Sequence, residues 1–254
     1  MNMVVQDLLT QYFDDGDHRQ PVMLMLHGWG TDAHNFDGLS AYLAKGFRVL
    51  RLDLPGFGGT QAPASAWYVR DYAEFVARFL EKLGVAELRT VIGHSFGGRI
   101  VIAGLAEGLL IAQTAVLLDS AGIKPPKTLR VQVIGLVARV GKRVLAIPGL
   151  SQLAPGLRRR LYQSAGSADY LESGPLRQIF LNTINQDLSA DAARIAVPTL
   201  IIWGADDLDT PPADGRALAN LIPNSTLSLV AGAGHFVHLD APDRVNLLIK
   251  DFLR

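Results

Sequence analysis

Gly93-His94-Ser95-Phe96-Gly97 is the stretch whose reading decides the fold. The stretch Leu88-Arg89-Thr90-Val91-Ile92 precedes it and predicts a short buried strand. A helical pattern over residues 98–109 follows it. Strand, Gly-x-Ser-x-Gly, then helix is the context that turns this pattern into a nucleophile elbow. So tight a turn demands nearly side-chain-free residues two before and two after the serine, and Gly93 and Gly97 meet that demand. The backbone at Ser95 is then strained and its hydroxyl is held clear of the sheet. The alternative is an ordinary strand–turn–helix junction with an incidental serine, and the rest of the chain must decide.

The 254 residues suit one large α/β domain, or a core with a small insertion. An apolar share of 49% with 19% charge fills a sizeable core and argues against disorder. The absence of cysteine excludes disulfides, thiolate metal sites and cysteine nucleophiles. The first 17 residues have neither a basic start nor an apolar centre, so no signal peptide is expected and the chain is assigned to the cytoplasm. No apolar run reaches the roughly 18 residues of a membrane span. A formal net charge of zero gives no overall attraction to nucleic acid.

Residues 1–20 read as a strand pair turning near Asp15-Gly16. Val22-Met23-Leu24-Met25-Leu26 is a continuous apolar run, as expected of a strand buried on both faces. It ends in His27-Gly28-Trp29-Gly30, where glycines let backbone N–H groups turn into a cleft; a plain strand-to-loop turn with His27 bonded locally is the alternative. A helix is expected over 35–45 and a strand over 48–53. Asp53 is read as the anchor of the glycine-rich loop 54–60 rather than as a catalytic acid. Tyr72, Phe75, Val76, Phe79 and Leu83 recur at helical spacing and are core. Strands follow over 113–118, 198–203 and 226–230, with helices over 213–221 and 242–253. Alternating strands and helices, with strands that lack polar alternation, predict an α/β fold with a mostly parallel central sheet and helices on both faces. Residues 123–193 lack a clear strand and are broken by prolines, so they are expected to form a helical lid. The core is then residues 1–122 and 194–254.

Ligands of open α/β sheets bind beyond the carboxyl ends of the strands. Four signals sit at such ends: His27-Gly28-Trp29, Ser95, Asp207 and His235. A serine hydroxyl needs a base to take its proton, and the base needs a carboxylate to set its tautomer and stabilise its charged form. Serine, aspartate and histidine on successive post-strand loops supply those three roles. Asp206 and Asp209 flank Asp207, and His238 lies three residues past His235.

The elbow Gly93–Gly97, the Gly-x-x-Asp turn ending at Asp207 and the Gly-x-Gly-His turn ending at His235 together resemble the α/β-hydrolase superfamily over nearly the whole chain. The resemblance implies Ser95 as nucleophile, Asp207 as acid and His235 as base. The amides of Phe96 and Trp29 would form the oxyanion hole. The loop reads His-Gly-Trp-Gly where many lipases have His-Gly-Gly-Gly; the donor survives, but the indole of Trp29 crowds the acyl side. Relatives that open epoxides or cleave carbon–halogen bonds carry aspartate where this chain has Ser95. Acyl transfer to water is therefore expected, on short to medium acyl esters as small-molecule substrates. Meta-cleavage carbon–carbon hydrolases are the runner-up; they commonly have tryptophan after the catalytic histidine, where this chain has Phe236. A receptor of this fold that keeps its triad is the alternative of another class. No metal-ligand spacing or nucleotide-binding glycine loop is present, so no cofactor or metal is expected.

Charge is unevenly divided. Lys124, Lys127, Arg130, Arg139, Lys142, Arg143, Arg158, Arg159 and Arg160 fall between residues 121 and 168, where no acidic residue occurs. That segment carries +9 and the remainder −9. Either it is a solvated basic rim, or the lid touches an anionic partner such as a membrane surface or an acidic substrate.

Overall fold

The structure, a computed structural model, describes residues 1–123 and 174–254. Eight strands form one sheet: β1 (Asn2–Val5), β2 (Leu8–Asp15), β3 (Val22–Leu26), β4 (Arg48–Leu52), β5 (Leu88–His94), β6 (Ala112–Leu118), β7 (Thr199–Gly204) and β8 (Ser225–Val230). Their order is β1-β2-β4-β3-β5-β6-β7-β8. β1 and β2 pair antiparallel at one edge, β2 joins β4 antiparallel, and β3 to β8 run parallel.

β3 is apolar throughout and the other parallel strands are mostly so, because both faces of the sheet are covered; Arg51, Thr90 and Thr114 are buried polar exceptions. In β3, Leu24 and Leu26 face one core with Tyr72, Phe75, Phe79 and Trp203, whereas Met23 and Met25 face the other with Phe36, Val245 and Ile249. The first core lies under α2 (Val69–Lys82) and α3 (Phe96–Ala106); the second under α1 (Asp37–Leu43) and, counting on, α8 (Pro242–Phe252). Between them in sequence lie α4 (Arg177–Asn185), α5 (Ser189–Ala192), α6 (Pro212–Leu221) and α7 (Val237–Asp240). Leu24 is fully buried, so cutting it to alanine would cost roughly 2–5 kcal/mol.

Two sequence expectations shift. The N-terminal hairpin turns at Gln6 and Asp7, both at positive φ (+46° and +62°), with Val5 opposite Leu8. Asp15-Gly16 instead ends β2, where Gly16 turns the chain towards β3 at φ +89°. Two-residue hairpins need positive φ, which glycine usually supplies, so a Gln-Asp turn carries no strong local signal. The elbow helix begins at Phe96 rather than Gly98, directly after the serine. Asp53 is an anchor: its two carboxylate oxygens accept the amides of Ala33 and Gly59, each at 2.8 Å.

Between β6 and β7, Leu188 N–H donates to the Gly122 carbonyl (2.9 Å). The basic stretch from Lys124 to Arg160 lies outside the described residues, as does most of the expected lid. Among the described residues no helix is long and apolar enough to cross a membrane.

Candidate active site

Ser95 stands alone between the last residue of β5, His94, and the first of α3, Phe96. Its backbone sits at φ +48°, ψ −107°, a region natural to glycine. Holding a serine there costs of order 1–3 kcal/mol. The end of β6 and the loop after it hold it there: Ser95 N–H donates to the Leu118 carbonyl (3.0 Å), and its own carbonyl accepts the Ala121 amide (3.1 Å). The flanking glycines are required by close approach. A Cβ on Gly97 would run into the Leu26 carbonyl, and one on Gly93 would lie 2.6 Å from the Gly97 carbonyl oxygen.

The loops after β7 and β8 bring two more groups to the serine. His235 Nδ1 lies 2.9 Å from Asp207 Oδ2, and His235 Nε2 lies 3.0 Å from Ser95 Oγ. The carboxylate makes Nδ1 the protonated nitrogen, which leaves Nε2 to accept the serine proton. Asp207 is itself fixed: Oδ1 accepts the amides of Asp209 (2.8 Å) and Thr210 (3.0 Å), and the Thr210 hydroxyl donates to Oδ2 (2.7 Å). Asp206 and Asp209 are exposed. His238 turns to the Asn35 side-chain oxygen instead (2.6 Å).

The β3 loop supplies the third component. His27 Nδ1–H donates to the Gly28 carbonyl (2.8 Å), and its Nε2 accepts the Leu54 amide (2.9 Å). Burial keeps this ring neutral by pushing its pKa down. The Thr31 hydroxyl also donates to the Gly28 carbonyl (3.0 Å). A trans peptide points its N–H opposite to its C=O, so the Trp29 amide faces away from His27. Gly28 packs directly on Ser95, since a Cβ placed there would lie 3.4 Å from Ser95 Cβ. Phe96 opens α3, so its amide is one of the unpaired donors of a helix N-terminus. The Trp29 indole is clamped among Phe57, Phe96 and Phe180 of α4, with ring centroids 4.9, 5.3 and 5.1 Å away.

Asp207, Asp209 and His235 present ligand atoms within 4.8 Å of one another. Both oxygens of Asp207 and Nδ1 of His235 are already spent on one another, on Thr210 and on the Asp209 amide, so the trio belongs to the hydrogen-bonded chain.

Burial pushes the Asp207 carboxyl up, but hydrogen bonds from His235 and Thr210 outweigh it and hold the carboxyl below its ordinary value. Burial pushes His235 down, and the Asp207 bond and charge reverse this, leaving it above 6.5. A protonated His235 cannot accept a proton from Ser95. Activity is therefore expected to be lost as pH falls, with the midpoint of the acidic limb of kcat/KM above 6.5. A pH–rate profile checks this; a limb centred clearly below that value would contradict it.

Three residues at the site went unremarked as participants in the sequence reading. Thr210 bonds Asp207, His94 Nε2–H donates to the His235 carbonyl (2.8 Å), and Asp119 leaves the end of β6. Asp119 carried one usable signal, a polar residue directly after a buried strand, as Ser95, Asp207 and His235 do within a few residues.

The family model for the alpha/beta hydrolase family matches residues 23–246. The chain belongs to that family. The matched span of this alpha/beta hydrolase includes all four loops of the site. It is 30% identical over 252 residues to 2-hydroxymuconate semialdehyde hydrolase of Pseudomonas sp. strain CF600, covering 91% of this chain and 86% of the relative. It is 28% identical over 257 residues to the dihydrolipoyllysine-residue acetyltransferase component of the acetoin cleaving system of Pseudomonas putida, covering 97% of this chain and 67% of that protein. Among solved structures it is similar to the enol-lactonase of Burkholderia xenovorans LB400, with a TM-score of 0.73, 26% identity and coverage of 100% of this chain and 99% of that one.

Proposed function

We propose that this alpha/beta hydrolase cleaves short- to medium-chain carboxylic esters through an acyl-enzyme intermediate. The observation that carries the proposal is the continuous hydrogen-bonded chain Asp207 Oδ2–His235–Ser95 Oγ, at 2.9 and 3.0 Å. Ser95 Oγ attacks the ester carbonyl carbon while His235 Nε2 takes its proton. The tetrahedral oxyanion accepts hydrogen bonds from the Trp29 and Phe96 amides. Collapse breaks the bond to the alcohol oxygen, which leaves with the proton from His235. Water, deprotonated by the same nitrogen, then attacks the Ser95 ester; the acyl–Oγ bond breaks, Ser95 Oγ takes the proton back from His235 and the acid is released. Asp207 keeps Nδ1–H in place and offsets the charge on the imidazolium.

The acyl limit rests on Trp29, whose ring is clamped as a wall beside the two amides. Residues 123–193 are proposed as the cap of this pocket, with Phe180 of α4 already resting on Trp29. A screen of nitrophenyl esters from about two to sixteen acyl carbons tests the proposal; no turnover on any of them would overturn it. Trp29→Ala keeps the amide and removes the wall. It should raise the kcat/KM ratio of octanoate over butyrate ester by ~10-fold, the scale of one or two methylenes in an apolar pocket. An unchanged ratio would place the acyl chain elsewhere.

A second reading, hydrolysis of a carbon–carbon bond next to a ketone, is favoured by the 30% identity to a 2-hydroxymuconate semialdehyde hydrolase. The same serine, base and amides would serve it. A ring-cleavage dienoate in the same screen separates the two: turnover of it with none of the nitrophenyl esters would select this reading.

A further inference from the structure

Asp119 follows β6 and is fully buried at φ +43°. Its carboxylate spans two loops. Oδ1 accepts the amide of Gly204 (2.7 Å), three residues before Asp207. Oδ2 accepts the amide of Val237 (2.9 Å), two residues after His235. Its backbone carbonyl lies 3.1 Å from the Thr210 hydroxyl, which also reaches Asp207 Oδ2 and lies 3.2 Å from His235 Nδ1. One residue, rooted on the strand beside the elbow strand, therefore touches the acid loop at two points and the base loop at one.

We propose that Asp119 is a positioning residue, which holds the Asp207 and His235 loops at their mutual distance and acts on the His235 ring as a second negative charge. The proposal rests on Ser95, His235 and Asp207 acting as described under the proposed function. A carboxylate alone among side chains of this size accepts at both ends. An asparagine would keep the shape but turn an –NH₂ group towards one of the two amides.

The ionisable groups facing His235 are Asp207 and Asp209 from the loop after β7, Asp119 from β6, His94 from β5 and His238 from α7. Burial holds His94 well below its ordinary value and pushes His238 down to about 4, so both are neutral in the working range. Burial raises Asp119 to about 7, against the lowering by its two amides and with a contribution from the Asp207 charge. Above that value the Asp119 charge favours protonated His235.

Asp119→Asn tests this, with Ser95→Ala and His235→Ala run beside it on the same nitrophenyl ester. The expected result is a kcat lower by ~10- to 100-fold, as for a sub-ångström to 1 Å misplacement of a reacting group, with KM changed less than about threefold. The acidic limb of kcat/KM should also move to lower pH, by roughly half a unit or more, because His235 loses a negative charge. A purely structural carboxylate would lower the melting temperature and leave that midpoint in place. A folded Asp119→Asn protein whose midpoint stays put or rises overturns the proposal, whatever its kcat.

If Asp119→Asn does not fold, the Ser95→Ala protein carries the test through its native Asp119. The His235 ring resonances should titrate in two steps, whose apparent midpoints belong to the coupled Asp119–His235 pair. A single step overturns the proposal. Retained turnover in Ser95→Ala and His235→Ala would overturn the proposed function itself, a separate result.

Discussion

Ser95→Ala is expected to fold like the wild type and to lose roughly 10⁴- to 10⁶-fold in turnover. Without Oγ no acyl-enzyme forms, and only the amides of Trp29 and Phe96 remain to act on the carbonyl. His235→Ala should fall about as far, because an unassisted serine hydroxyl is almost fully protonated, and the double variant should be little worse than either single one. Steady-state turnover of nitrophenyl butyrate, with the melting temperature measured alongside, checks all three; near-normal rates in Ser95→Ala would end the proposed mechanism. The same residue gives a stability test of opposite sign. Serine at φ +48°, ψ −107° is strained in a way that glycine is not. Ser95→Gly should therefore be inactive and more stable than wild type by ~1 kcal/mol or more.

Asp207→Asn is expected to cost the second-largest amount, ~10³- to 10⁴-fold in kcat. Asp207 Oδ2 accepts both the His235 Nδ1–H and the Thr210 hydroxyl, while Oδ1 is occupied by the amides of Asp209 and Thr210. In the asparagine variant Oδ1 meets two backbone donors and so claims the amide oxygen, which leaves –NH₂ facing His235. That group can only donate, so the imidazole must present a bare Nδ1 and carry its proton on Nε2. Nε2 then cannot take the proton of Ser95. The loss should recover partly at high pH, where serine needs less assistance, a recovery that Ser95→Ala cannot show. Comparable kcat in Asp207→Asn and wild type would mean that His235 needs no carboxylate to set its tautomer.

The parallel part of the sheet was legible because burial on both faces leaves β3 apolar without interruption and strands such as β7 nearly so. A sliding view of hydropathy suffices for that. The elbow was legible for another reason: Gly93 and Gly97 are required by contacts within a few residues or with the adjoining strand, so the local pattern carries the constraint. The N-terminal strand pair was legible but its turn was not, because Gln6 and Asp7 adopt positive φ without a glycine to announce it. The His27-Gly28-Trp29 loop was legible only as a turn. Which way its amide faces depends on Leu54 and Thr31, which fix the His27 tautomer and the Gly28 carbonyl.

The sequence by itself determined the α/β layering, the order of the strand-end signals and the three residues Ser95, Asp207 and His235 as a candidate set. Those features follow from hydropathy, backbone freedom and side-chain chemistry, which are properties of short stretches. Only the tertiary structure decided that Asp207, rather than exposed Asp206 or Asp209, meets His235 Nδ1, and that His238 is bonded to Asn35. It alone showed Asp119 joining Gly204 to Val237, across chain separations of 85 and 118 residues. A carboxylate after a strand looks the same in sequence whether it faces solvent or two buried amides; the difference lies in which loops the folded sheet places on either side of it.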